Sequence, residues 1–161
     1  MEDRIVVGLG SSDQADPRQA GWQAADAALA QCHNEADIAF AFSTVDYEPE
    51  QLMAGLKQRL GVIPIHGGTS FTGLITPAGF LASQTGVVSV LTLSTPYIQF
   101  GTGYAKLDGN PVEAGAKAAQ MALVATDVPG GTPDVVLMTA SPGNEEDIIH
   151  GIAQVMGEDV P

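Results

Sequence analysis

The chain has 161 residues, 45% of them hydrophobic and 16% charged, a balance that provides for one sizeable buried core and excludes wholesale disorder. Six basic residues against nineteen acidic ones give a formal net charge of −13, a field that repels phosphate backbones and anionic lipid, so neither nucleic acid nor membrane is expected as a partner. No apolar run reaches the roughly 18 residues a membrane helix needs, and the opening MEDRIVVGLG lacks the basic start and apolar stretch of a secretory signal; a cytoplasmic location is expected. Cys32 is the single cysteine, which removes an intramolecular disulfide and a cysteine zinc cluster from consideration and leaves a small core residue.

Ile5 to Leu9 reads as a short buried strand. Asp16-Pro17 starts a helix that the alanine-rich stretch from Ala20 to Cys32 continues, and Asp37 to Phe42 is a second apolar strand. Pro49 opens the next helix, with Leu52, Met53, Leu56 and Leu60 at helical spacing and Gly61 as its stop; Val62 to Ile65 is a third strand. This β-α-β-α-β order predicts neighbouring parallel strands under covering helices. Phe71 to Thr76, Val87 to Leu93 and Tyr97 to Leu107 follow with only turn residues between them, which favours antiparallel strands. Asn110-Pro111 opens a second alanine-rich helix to about Ala125, Asp134 to Met138 is a strand, and Glu145 to Met156 a helix.

The halves resemble each other. AGWQAADAALAQ at 20–31 and AGAKAAQMALVA at 114–125 agree at six of twelve positions. ADIAFAF and PDVVLMT follow, then EQLMAGLKQRLG and EDIIHGIAQVMG, at offsets of 94 to 97. The expected fold is therefore α/β: mixed sheet with covering helices, built from two related βαβα units, about 4–70 and 87–161, joined by an antiparallel segment. Pro64 aligns with Pro161, so a second unit would continue past the end of this sequence, and the chain is expected to be truncated.

Three stretches qualify as binding loops. His66, Gly67, Gly68, Thr69 and Ser70 follow a strand, where α/β sheets place ligands. Glycines let backbone N–H groups converge on a carboxylate or phosphate and the hydroxyls add donors, although a tight turn asks for the same residues. The stretch has neither the lysine of a Walker loop nor dinucleotide spacing. Ser43 and Thr44, and Ser141, Gly143 and Asn144, occupy matching places after the second strand of each unit; helix capping by Ser141 and Asn144 is the competing role. If one pocket forms at the strand ends, the loops at 43–47, 66–70 and 141–145 border it. Trp22, on the first alanine-rich helix, fits core packing or a subunit contact. No G-x-S-x-G elbow is present and no catalytic residue is assigned, so an enzyme is not expected; a hydrolase-like fragment is the alternative.

AFSTVDYEPEQL, IHGGTSFTGLIT, PVEAGAKAAQMAL and PDVVLMTASPGNEEDIIHGIAQVMGEDVP, in that order, resemble the N-terminal region of FIST-domain proteins, which are intracellular sensory modules of signal transduction. The resemblance covers nearly the whole chain, 1–161, and implies an α/β domain that binds a small ligand, amino-acid-like or an anionic metabolite. It further implies a partner, either a signalling output protein or the C-terminal FIST portion that most relatives carry; a homo-oligomer is a further option. No cofactor is assigned, but some relatives are haem proteins that sense nitric oxide, and His66 is where such a group would be held. Gly68 stands where the family often has a cysteine.

Overall fold

The structure is a computed structural model that describes residues 4–126 and 131–161. It divides into a first unit, Met1–Ile98, and a second, Gln99–Pro161; residues 127–130, inside the second of the expected repeat units, lie outside the described residues.

The first unit is a mixed four-stranded sheet covered by two helices. Its elements are β1 (Val6–Ser12), α1 (Pro17–Gln31), β2 (Ile38–Thr44), α2 (Pro49–Leu60), β3 (Ile65–Ser70), β4 (Leu74–Thr76), β5 (Gly79–Leu81) and β6 (Val88–Ser94). Both helices begin as their sequences dictate. Proline occupies the first turn, and a preceding carboxylate accepts free backbone N–H groups: Asp16 from Gln19 at 2.7 Å, and Glu48 from Gln51 at 2.8 Å. Gly61, at φ +64°, ends α2.

Strand order is β1-β6-β2-β3, with β6 antiparallel to both neighbours and β2 parallel to β3. The expected neighbouring parallel strands therefore hold for β2 and β3 only. β1 and β2 run the same way with β6 wedged between them, because the chain returns after the β4–β5 hairpin to fill that place. The glycine segment at 66–70 also departs from expectation. It is no loop after a strand but β3 itself, and the expected strand at Val62 to Ile65 shrinks to its last residue.

The core lies between the sheet and α1. Ala20, Ala24, Ala25 and Ala28 are fully buried with Leu29, Leu56, Val88 and Val90. An added Cβ at Gly8 would collide with the Ala28 carbonyl oxygen and one at Gly10 with that of Ala24, so β1 lies directly on α1. At the helix crossing a Cβ on Gly21 would sit 2.6 Å from the Leu52 oxygen, and one on Gly55 would meet the Arg18 oxygen. Cys32 is buried, its Sγ 3.4 Å from Thr92 Oγ1. The other sheet face carries Val7, Leu9 and Phe42, all more than a third exposed.

The second unit holds α3 (Pro111–Ala125) and α4 (Glu145–Met156). Asn110 caps α3 by accepting from Glu113 N. The helices cross where Gly115 faces the Ile148 oxygen and Gly151 faces that of Val112. The expected strands at Tyr97 to Leu107 and Asp134 to Met138 carry no strand pairing among the described residues. No helix among the described residues is long and apolar enough to cross a membrane.

Two backbones touching without an intervening Cβ leave no room for a larger residue. Gly55→Val is expected to lower stability by about 1–3 kcal/mol through overpacking, whereas Met53→Ala, on the outer side of the same helix, stays within about 0.5 kcal/mol. Urea midpoints at constant m-value decide between these outcomes, and Gly151→Val should act on the second unit as Gly55→Val acts on the first.

Candidate functional site

The register of the sheet brings the first-unit candidates together. In the parallel pair Phe40 stands beside His66, Phe42 beside Gly68, Ser43 beside Thr69 and Thr44 beside Ser70. Residues opposite one another share a face, so the sheet can be read in rows. One row is Leu9, Leu91, Phe40 and His66; the next on the same face is Ser11, Ser89, Phe42 and Gly68. Apolar residues give way to hydroxyls towards the C-terminal ends of β1, β2 and β3. Each of those strands closes on a hydroxyl doublet: Ser11-Ser12, Ser43-Thr44 and Thr69-Ser70.

Half of these hydroxyls hold the fold. Thr44 Oγ1 accepts from Val87 N at 3.1 Å while Thr44 N donates to Val87 O at 2.9 Å, which latches the start of β6 onto the end of β2. Ser70 Oγ donates to Gly73 O at 2.7 Å and shapes the turn into β4. Ser12 Oγ donates to Gln23 Oε1 at 3.0 Å. Tyr47 closes the same end: its hydroxyl lies 2.8 Å from Gln14 O and 2.9 Å from Gly86 O, and its single proton serves one carbonyl at a time. Burial, with Asp13 and Asp46 nearby, pushes the Tyr47 phenol above its ordinary value, so it remains a donor.

The other half are unengaged. The side chains of Ser11, Ser43 and Thr69 make no hydrogen bond among the described residues. Ser89 Oγ is buried without a partner, the one such side-chain atom among the described residues. An unsatisfied buried hydroxyl costs roughly 1–3 kcal/mol, so this end of the sheet has hydrogen-bonding capacity to spend. Sequence reasoning missed Ser11, Ser12 and Ser89; a hydroxyl doublet directly after an apolar run was the available signal. Gly67 has a structural explanation, since a Cβ there would strike the Ala41 carbonyl oxygen of β2.

Ser141, Gly143 and Asn144 belong to the second unit. Gly143, at φ +105°, makes the turn into α4, and its N–H donates to Glu145 Oε2 at 2.8 Å. Asn144 is the N-cap residue but its side chain makes no capping bond, so the capping expected of it is not seen; Glu145 instead accepts from Gly143, ahead of the helix. Ser141 makes no side-chain hydrogen bond among the described residues.

An open depression of about 590 Å³ lies on the outer side of the first unit's helices, lined by Asp16, Arg18, Trp22, Gln23 and Gln58. Its charged groups are already committed: Arg18 Nη2 donates to Gln58 Oε1 at 3.0 Å and Asp16 caps α1. None of the site candidates lines it, and Trp22, 39% exposed, forms part of its wall rather than of the core. Among the described residues no group of three or more His, Cys, Asp and Glu is placed to hold a metal.

His66 packs edge-on against Phe40, ring centroids 5.9 Å apart. Burial lowers its pKa from the ordinary 6.5. As pH falls, the unfolded chain takes up the proton first, so the contribution of His66 to stability is present above about pH 6.5 and is lost as pH drops from there through the folded-state value. A His66→Phe variant should lose that component of the pH dependence, measured as urea midpoints between pH 7.5 and 5; an unchanged profile would place the titration elsewhere.

A family model described as FIST N domain matches residues 37–161, which begins just before β2 and takes in every later element of both units. No curated protein matches the chain. The match spans well over half of the sequence, and it contains Ser43, Thr44, His66–Ser70 and the turn at 141–144. The chain therefore belongs to the FIST family, whose domain is a sensory module of signal transduction.

Proposed function

We propose that this protein senses a small polar metabolite, amino-acid-like or anionic, at the hydroxyl-lined C-terminal end of β1, β2 and β3. The observation that carries this reading is the set of unengaged hydroxyls there, Ser11, Ser43, Thr69 and the partnerless Ser89. Open α/β sheets bind ligands outside the carboxyl ends of their strands. Hydroxyls act as both donors and acceptors, so they suit a carboxylate and an ammonium group alike. Gly68 and Ser70 lie on the face of Ser11 and Ser89, where His66, its pKa lowered by burial, adds one donor and one acceptor. Ser43 and Thr69 alternate to the opposite face and meet them only at the rim of the strand ends.

Thr44 and Ser70 have a second part in this reading. They tie the site to β6 and to the turn before β4, so an occupied site stiffens both connections. A ligand that binds the ordered arrangement better shifts the population towards it, and a signalling output protein or a C-terminal FIST portion reads the shift. Ser141, Gly143 and Asn144 give the second unit a corresponding polar turn.

Calorimetry against a panel of amino acids and small carboxylates should find a ligand. Losing one hydrogen bond of about 1 kcal/mol weakens binding roughly fivefold, so Thr69→Val and Ser43→Ala should each reduce affinity by that factor or more while leaving the urea midpoint nearly unchanged. Unaltered affinity in both variants would remove the strand ends from the site, and a panel with no binder would remove the metabolite class.

A further inference from the structure

Three segments of the first unit meet at the Tyr47 side chain, which is 4% exposed. Gln14, in the connection from β1 to α1, and Gly86, on the approach to β6, both turn a carbonyl oxygen to its hydroxyl, at 2.8 and 2.9 Å. A phenol carries one proton, so at any moment one of these carbonyls faces oxygen lone pairs instead of a donor. Like partial charges that close repel. The ring cannot turn aside to relieve the contact. It is buried, and Gly86, at φ +106°, lies directly on it: an added Cβ there would come within 2.9 Å of three ring carbons.

The two carbonyls sit in unequal surroundings. Gly86 is buried, and the residue after it is latched both ways, Val87 N donating to Thr44 Oγ1 at 3.1 Å and Thr44 N to Val87 O at 2.9 Å. Asp13, Gln14 and Ala15 are exposed and lie between the end of β1 at Ser12 and the start of α1 at Pro17. Apart from the bond to Tyr47, the one hydrogen bond these three residues make among the described residues is from Gln14 N to Ser12 Oγ, a long 3.3 Å. A carbonyl that loses the phenol proton is taken up by water at Gln14 and stranded at Gly86.

We propose that Tyr47 is a two-position latch and that residues 13–15 are the lip it fastens. With the proton on Gly86 the lip is free and the Gln14 carbonyl turns to water. With the proton on Gln14 the lip is held down, and the buried Gly86 carbonyl goes without a donor. Both oxygens lie at hydrogen-bond distance, so rotation of the hydroxyl passes the proton from one to the other. Burial draws the proton towards Gly86 and the shorter contact draws it towards Gln14, so both arrangements are populated. The lip follows Ser11 and Ser12 directly, and its position sets access to the β1 end of the rim. On the metabolite reading, a ligand that touches the fastened lip shifts the population towards it; the latch itself does not rest on that reading.

Nuclear magnetic resonance on the whole isotope-labelled chain, with no ligand added, tests the latch. Tyr47→Phe removes the hydroxyl and keeps the ring on Gly86. The carbonyl carbons of both Gln14 and Gly86 should shift in the variant, because each holds the proton for part of the time. Backbone order parameters at 13–15 should fall from near 0.85 towards the flexible range below about 0.6, while those of Gly86 and Val87, tied to Thr44, stay in place. A shift at one carbonyl alone, an unchanged lip, or equal loosening at Gly86 and Val87 would overturn the proposal. If the variant does not fold, the wild type decides. On warming, a shared proton moves the two carbonyl resonances in opposite senses, whereas two independent bonds that loosen together move them the same way and end the idea. Because no ligand enters, this result and the calorimetry can fail separately.

Discussion

The structure depends on backbone meeting backbone without side chains between. α1 lies on β1 through Gly8 and Gly10, and α1 crosses α2 through Gly21 and Gly55. Each contact places a carbonyl oxygen where a Cβ would otherwise be, so the layers approach more closely than leucine-filled layers could. The alanine face of α1 follows from the same requirement. Ala20, Ala24, Ala25 and Ala28 are fully buried yet each removes little apolar area from water. What they contribute is proximity, which gives many dispersion contacts and brings Cα–H groups within reach of carbonyls. The larger side chains, Leu29, Leu56, Val88 and Val90, then fill the margins.

This constraint explains what could be read from the sequence. Helices were legible to within a residue or two at their starts, because Pro17, Pro49 and Pro111 in the first turn, behind Asp16, Glu48 and Asn110, are local signals for local geometry. Strand order was not. β6 reaches the centre of the sheet after a long connection, and nothing in the alternation of VVSVLTL tells which strands it separates. β3 was misplaced for a related reason. Its glycines have low strand propensity, but Gly67 is in the strand because β2 comes too near for any side chain at that point. The segment from Tyr97 to Leu107 misled in the opposite direction, having the pattern of a strand without a strand partner among the described residues.

The candidate site was half legible. The doublets Ser43-Thr44 and Thr69-Ser70 stood out because each follows an apolar run, and the β2–β3 register places them side by side. Ser11-Ser12 has the same form but fell outside a strand read as ending at Leu9, and Ser89 lay unremarked inside an apolar run. Which hydroxyls are spent and which are free is a tertiary matter. Thr44 is spent on Val87, forty-three residues away in the chain, and no local pattern distinguishes it from Ser43.

Charge narrows what such a site can select. Arg18 is held by Gln58, and Arg59 is paired with Asp26 and Asn34, so neither guanidinium is available to the strand ends. With a formal charge of −13 over the chain, a polyanion meets repulsion before it meets the hydroxyls. A ligand carrying both signs of charge, or a single carboxylate, meets much less. On the proposed reading, discrimination at this rim would come from the positions of neutral donors and acceptors. An analogue lacking a group to match Ser89 would leave that buried hydroxyl unpaired, a larger penalty than an exposed ion pair supplies.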